Sequence, residues 1–131
     1  MGYRFEFDPV NKILLLRFEG QLTEESVAEV YRAAQGHWAA TDAKMGIADF
    51  SKATEFAIST GFLRQFANRA PAGVNAKYPR VVIAPGPVQF GLTRMFQVVG
   101  ERTRPSLHVV RTMDEAFATL GVQSPHFHPL D

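Results

Sequence analysis

Residues Met45 to Ala67 read MGIADFSKATEFAISTGFLRQFA, in which an apolar run from Met45 to Phe50 leads through polar residues to an apolar stripe at helical spacing. A short apolar run bounded by turn residues reads as a buried strand, and Phe62, Leu63 and Phe66 fall on one face of a helix. The spacing predicts a strand over Met45 to Phe50 and a helix from about Ser59 to Arg69, stopped by Ala70-Pro71-Ala72-Gly73. A strand feeding a helix is the repeating half of an α/β fold. The turn between them presents Ser59, Thr60 and Gly61 at the helix N-terminus. Backbone N–H groups lack intrahelical partners there, and the helix dipole adds partial positive charge. Ser59 and Thr60 are therefore either plain capping hydroxyls or a phosphoacceptor and anion contact.

Working toward the N-terminus, Tyr3, Phe5 and Phe7 alternate with Arg4, Glu6 and Asp8, the pattern of a strand with one wet face. It is expected at a sheet edge, where edge pairing would make a homodimer. After turn residues Asp8, Pro9 and Asn11, the unbroken apolar run Ile13 to Leu16 predicts an interior strand paired as a hairpin with the first. Gly20 is expected to end it. Thr23 is a good N-cap for a helix with Glu24 and Glu25 in its first turn and a Leu22–Val27 staple. Val27, Val30, Tyr31, Ala34 and Trp38 make its apolar stripe, to about Ala40.

Toward the C-terminus, Arg80 to Ala84 reads as another buried strand, and Pro87 sits near the first position of a helix with core residues Val88, Leu92, Met95, Phe96 and Val99. Ser106 to Val110 is the last expected strand. Thr112 caps a final helix through Leu120, with Gly121 ending it. Residues 123–131 hold two prolines and no periodicity, and read as a tail after a single domain spanning 1–122. The predicted order is β-β-α-β-α-β-α-β-α, an α/β fold with a mixed sheet flanked by helices.

At 131 residues and 46% hydrophobic content the chain suits one domain with a sizeable core, and a net charge of +1 argues against a nucleic-acid partner. No cysteine is present, which removes disulfides, thiolate catalysis and thiolate-bound metals. No run suits a membrane helix or a secretory leader, so a cytoplasmic location is the expectation. Nothing declares a reaction. Asp49 has no His or second carboxylate at motif spacing, and Pro85-Gly86-Pro87 lacks the residues of a phosphate loop. His126 and His128 make an incomplete metal site. A non-enzyme without metal or cofactor is expected. Arg94, Arg102, Arg104 and Arg111 are suited to an acidic partner or an anionic head group, although such residues most often form a solvated rim.

This element order, over about residues 3 to 122, resembles the STAS domain of bacterial anti-sigma-factor antagonists (SpoIIAA-like). The local match is Ile47-Ala48-Asp49-Phe50 followed by Ile58-Ser59-Thr60-Gly61-Phe62, against a family strand ending in Asp and a turn reading Asp-Ser-Ser-Gly-Leu. Ser59 falls on the position that a partner kinase phosphorylates in such antagonists, and Ile58 stands where the family has Asp. The resemblance implies a non-catalytic regulatory domain that binds a protein partner, a kinase or an anti-sigma-like regulator, with Ser59 as the candidate switch. Asp49, Phe56, Ile58, Gly61 and Phe62 would form the interaction surface. A looser STAS-like branch also resembles Sec14 (CRAL-TRIO) lipid-binding folds. For that branch the alternative is a module binding a small apolar molecule or lipid, in a pocket lined by Phe62, Phe66 and Phe96.

Overall fold

A computed structural model describes residues 2–73 and 75–130. Strands β1 (Tyr3–Asp8) and β2 (Ile13–Thr23) form an antiparallel hairpin, followed by α1 (Glu24–Ala40), β3 (Met45–Ala57) and α2 (Thr60–Ala67). Then come β4 (Arg80–Ile83), α3 (Pro87–Val99), β5 (Leu107–Val110), α4 (Met113–Leu120) and the short β6 (His128–Pro129). The sheet order is β5-β4-β3-β2-β1-β6, with β2 to β5 mutually parallel. The mixed α/β sheet expected from sequence is thus present, with one strand added at its edge.

Alternation along the strands sorts the core into two layers. Ile13, Leu15, Ile47, Val81 and Ile83 point to one face and pack against Ala116, Met113, Phe117 and Leu120 of α4. Leu14, Leu16, Ala48 and Phe5 point to the other and meet Val30, Ala34 and Trp38 of α1. This explains why Ile13 to Leu16 is apolar throughout: both faces of β2 are covered there.

Several elements depart from the sequence expectation. Gly20 does not end β2; it takes φ +93° at a register irregularity, and the strand continues to Thr23. Likewise β3 does not stop at Phe50, since it pairs with β2 from Glu19↔Lys52 to Thr23↔Ala57. The two strands therefore continue as a polar ribbon that a hydropathy pattern reads as loop. Strand β1 is not the outermost strand: β6 pairs with it at Glu6↔Pro129 and Phe7↔His128, and the Leu130 N–H donates to Phe5 O. Phe127 of the same tail packs on the α4 layer.

The wet face expected for β1 is also drier than its pattern suggests, with Glu6 and Asp8 both buried. Asp8 closes the hairpin, accepting from Val10 N at 2.9 Å, Asn11 N at 3.2 Å and Asn11 Nδ2 at 2.8 Å. On α3, Val88 is exposed rather than part of the core face, and Thr93 is buried in its place, its hydroxyl donating to Gln89 O.

Candidate functional site

The β2–β3 ribbon sets the geometry of the site. Because Thr23 pairs with Ala57, the two strands deliver their helices side by side, and the caps of α1 and α2 meet. Thr23 Oγ1 accepts from Ser26 N at 3.0 Å. Ser59 is the N-cap of α2, its Oγ accepting from Phe62 N at 3.0 Å. The Ser59 N–H donates in turn to Glu24 Oε2 at 3.0 Å, from the first turn of α1. In an ordinary capping box the acid that takes this N–H lies three residues on. Phe62 occupies that position here, and Glu24 supplies the carboxylate from the neighbouring helix.

Ser59, Thr60 and Gly61 are exposed, and Phe62 is half-buried, stacked on Phe66 at 6.2 Å. Ile58 and Phe56 turn inward, with Phe56 edge-on to Phe50 at 5.6 Å. Asp49 does not belong to this surface. It lies in mid-strand on the opposite face of the sheet, 8% exposed, and accepts from Arg17 Nη1 at 3.5 Å. Arg17 Nε also reaches Glu6 Oε2 at 3.0 Å, which Arg4 Nε shares at 2.9 Å. Asp49 thus ends a charged row crossing β1, β2 and β3. Its parity with Met45 and Ile47 excludes it from the Ser59 face.

Behind the ribbon, between the sheet and helices α1, α2 and α3, lies a cavity of about 230 Å³. Leu14, Leu16, Ala48, Val30, Phe66 and Phe96 are among its apolar walls. Of the three phenylalanines expected to line such a pocket, Phe66 and Phe96 do and stack on each other at 5.8 Å, while Phe62 does not line it. Gly46 and Ala34 are also among its lining residues, and the Trp38 ring packs directly against Gly46, where an added Cβ would meet it at 3.0 Å. Tyr31 and Thr93 also reach the cavity, with their hydroxyls donating to Ala70 O at 2.6 Å and Gln89 O at 2.7 Å.

Two arginines border the same cavity. Arg80 donates through Nη1 to Asn75 O and Tyr78 O and through Nη2 to Ala72 O, and lies over the Trp38 ring. Burial pulls its pKa down. Arg104 was expected on a solvated rim, and it is instead 6% exposed. Its Nη1 donates to Ala67 O at 3.2 Å, Arg69 O at 3.0 Å and Thr103 Oγ1 at 3.1 Å, so it caps the carbonyl end of α2. Its guanidinium carbon is 5.3 Å from the Phe66 ring centre and 5.0 Å from that of Phe96. Burial, with the like charges of Arg80 and Arg69, pushes its pKa down to about 10, against a smaller opposing contribution from Tyr31. Sequence reasoning named Arg104 only within a set of four arginines and did not foresee its burial, because nothing local separates a buried arginine from an exposed one; its carbonyl partners lie 35 and 37 residues away.

Of the other arginines, Arg111 lies 4.3 Å over the Phe90 ring. Among the described residues no three His, Asp or Glu side chains gather as a metal site, and no helix is long and apolar enough to cross a membrane. His128 lies in β6.

No family model matches the sequence, and no curated protein does. Among solved structures the chain is similar to the anti-sigma factor antagonist SpoIIAA in its unphosphorylated form, at 12% identity and a TM-score of 0.54, covering 92% of this chain and 99% of that one. A second similar structure is the Bacillus cell fate determinant SpoIIAA in its phosphorylated form, at 17% identity and a TM-score of 0.49, over 88% of this chain and 96% of that one. The likeness extends over most of both chains, and in fold this chain is SpoIIAA-like.

Proposed function

We propose that this chain is a non-catalytic regulatory domain that binds a protein partner through the surface at the start of α2, with Ser59 as its switch. The observation that carries the reading is the Glu24–Ser59 contact, which ties the exposed cap of α2 to the first turn of α1. The SpoIIAA fold supports it, since SpoIIAA is an anti-sigma factor antagonist with an unphosphorylated form. A phosphoryl group on Ser59 would gain from the helix dipole and the free N–H groups, yet stand against the Glu24 carboxylate. Expulsion of Glu24 is the change a partner reads. Phosphorylation on this reading breaks the contact between two helix ends. A kinase and an anti-sigma-like regulator are the partner classes that fit.

The test is intact-mass and peptide mapping of the protein from its own host, with the binding of any identified partner compared for Ser59→Ala and Ser59→Asp. A phosphoryl group mapped to Ser59, with binding lost in Ser59→Asp and kept in Ser59→Ala, supports the switch. An unmodified Ser59 and unchanged binding in both variants leave it a helix cap.

The cavity of about 230 Å³ favours a second reading, a module for a small apolar ligand or lipid. Ligand pockets are concave and mostly apolar with a few placed polar groups. Native mass spectrometry tests it: a copurifying mass lost on denaturation supports a carrier, and a bare chain that takes up no apolar ligand rejects it.

A further inference from the structure

The cavity holds a feature that a purely apolar ligand would not use. Arg104 lines it, nine-tenths buried, and only its Nη1 makes hydrogen bonds among the described residues. Its Nε and Nη2 donors have no such partner. It also has no carboxylate: the ion pairs among the described residues are Arg4–Glu6, Lys12–Asp42, Arg17–Glu6 and Arg17–Asp49, all elsewhere. The basic groups acting on Arg104 are Arg80 and Arg69, both of its own sign, with only the Tyr31 phenol acting in the opposite sense, and Arg80 too is bound only to carbonyls.

The carbonyl end of α2 offsets part of this charge, since a helix terminus is worth about half an elementary charge. The rings of Phe66 and Phe96 offset a little more. A net positive charge remains beside an apolar void, and a buried cation without a counterion is unfavourable. The void and the charge are complementary to the two ends of one molecule.

We propose that the cavity binds an amphipathic monoanion, with its apolar chain between the sheet and helices α1 to α3 and its carboxylate-type head on the free Nε and Nη2 donors of Arg104. Arg80 adds charge of the same sign without a direct contact. This rests on the ligand-module reading and names its ligand class. Arg is suited to the role because its planar fork meets a carboxylate with two parallel donors. Size sets the chain: a dry cavity of about 150 Å³ accepts a benzene ring, so about 230 Å³ suits a medium-length chain.

Calorimetric titration of the full chain with octanoate and with 1-octanol decides it, because the two differ at the head and share the chain. Octanoate is expected to bind at least tenfold more tightly than 1-octanol. Arg104→Gln is expected to remove most of the advantage of octanoate over 1-octanol, and Arg104→Lys to restore part of it. Equal affinities of the wild-type protein for both probes overturn the inference and leave the apolar cavity standing. Binding of neither overturns both. If Arg104→Gln does not fold, the wild-type ratio of the two affinities still decides the question.

Discussion

A carboxylate placed at Ser59 is a direct probe of the two-helix junction. In Ser59→Ala the Phe62 N–H loses its acceptor at 3.0 Å, a change worth about 1 kcal/mol at an N-cap. Ser59→Asp keeps the acceptor, since Asp caps about as well as Ser. Its charge gains roughly 0.5 kcal/mol from the dipole at an exposed terminus. The same charge faces Glu24, whose Oε2 is 3.0 Å from the residue 59 N–H. Two unit charges about 4 Å apart in a water-like environment repel by about 1 kcal/mol. Ser59→Asp should therefore be about 0.5 kcal/mol less stable than the wild-type chain. In a Glu24→Gln background the same change should stabilise by a similar amount. The coupling is about 1 kcal/mol, read as a shift of about 0.5 M in the urea midpoint for a slope near 2 kcal/mol/M. It should shrink in 1 M salt, where the screening length is about 3 Å. A coupling of zero at low salt would refute the junction, and with it the argument that a phosphoryl group displaces Glu24.

Acid titration tests Asp8. Burial raises its pKa, but hydrogen bonds from Asn11 and Val10 outweigh this and hold it below the ordinary 3.8. The carboxylate form is thus favoured by folding, so its contribution is fully present above pH 3.8 and disappears as the pH falls through the folded value. Asp8→Asn should lower stability at neutral pH and flatten its decline below pH 3.8, as measured by urea unfolding across pH. An unchanged acid limb would contradict the assignment. Arg17→Met should leave Asp49 without a cation and Glu6 with Arg4 alone. Because the Arg17 side chain is 35% exposed, the expected loss is about 2 kcal/mol, below the 3–5 of a fully buried pair. Scanning calorimetry should show a Tm lower by roughly 8 °C, and no shift would show that solvent already screens the row.

Much of the architecture was legible from local pattern. The Thr23 and Thr112 caps and Gly121 at φ +71° stand where residue chemistry requires them, because capping uses neighbours within one helical turn. The Ser59 cap was legible for the same reason. The ribbon was not, since Ser51 to Ala57 mixes polar residues with Ala53, Phe56 and Ala57 in no strand-like alternation and becomes a strand by pairing with the extension of β2. Nor was the position of β1, which depends on a tail more than a hundred residues away.

By itself the sequence determined the mixed α/β order, the helix ends and the exposed hydroxyl at the start of α2, all consequences of spacing and of chemistry within a few residues. Tertiary structure alone decided that Glu24 meets Ser59, that Asp49 faces away from them, and that Arg104 is buried beside a cavity. Those are relations between residues distant in the chain. They are set by strand register, sheet-face parity and helix packing, none of which is written in the local sequence.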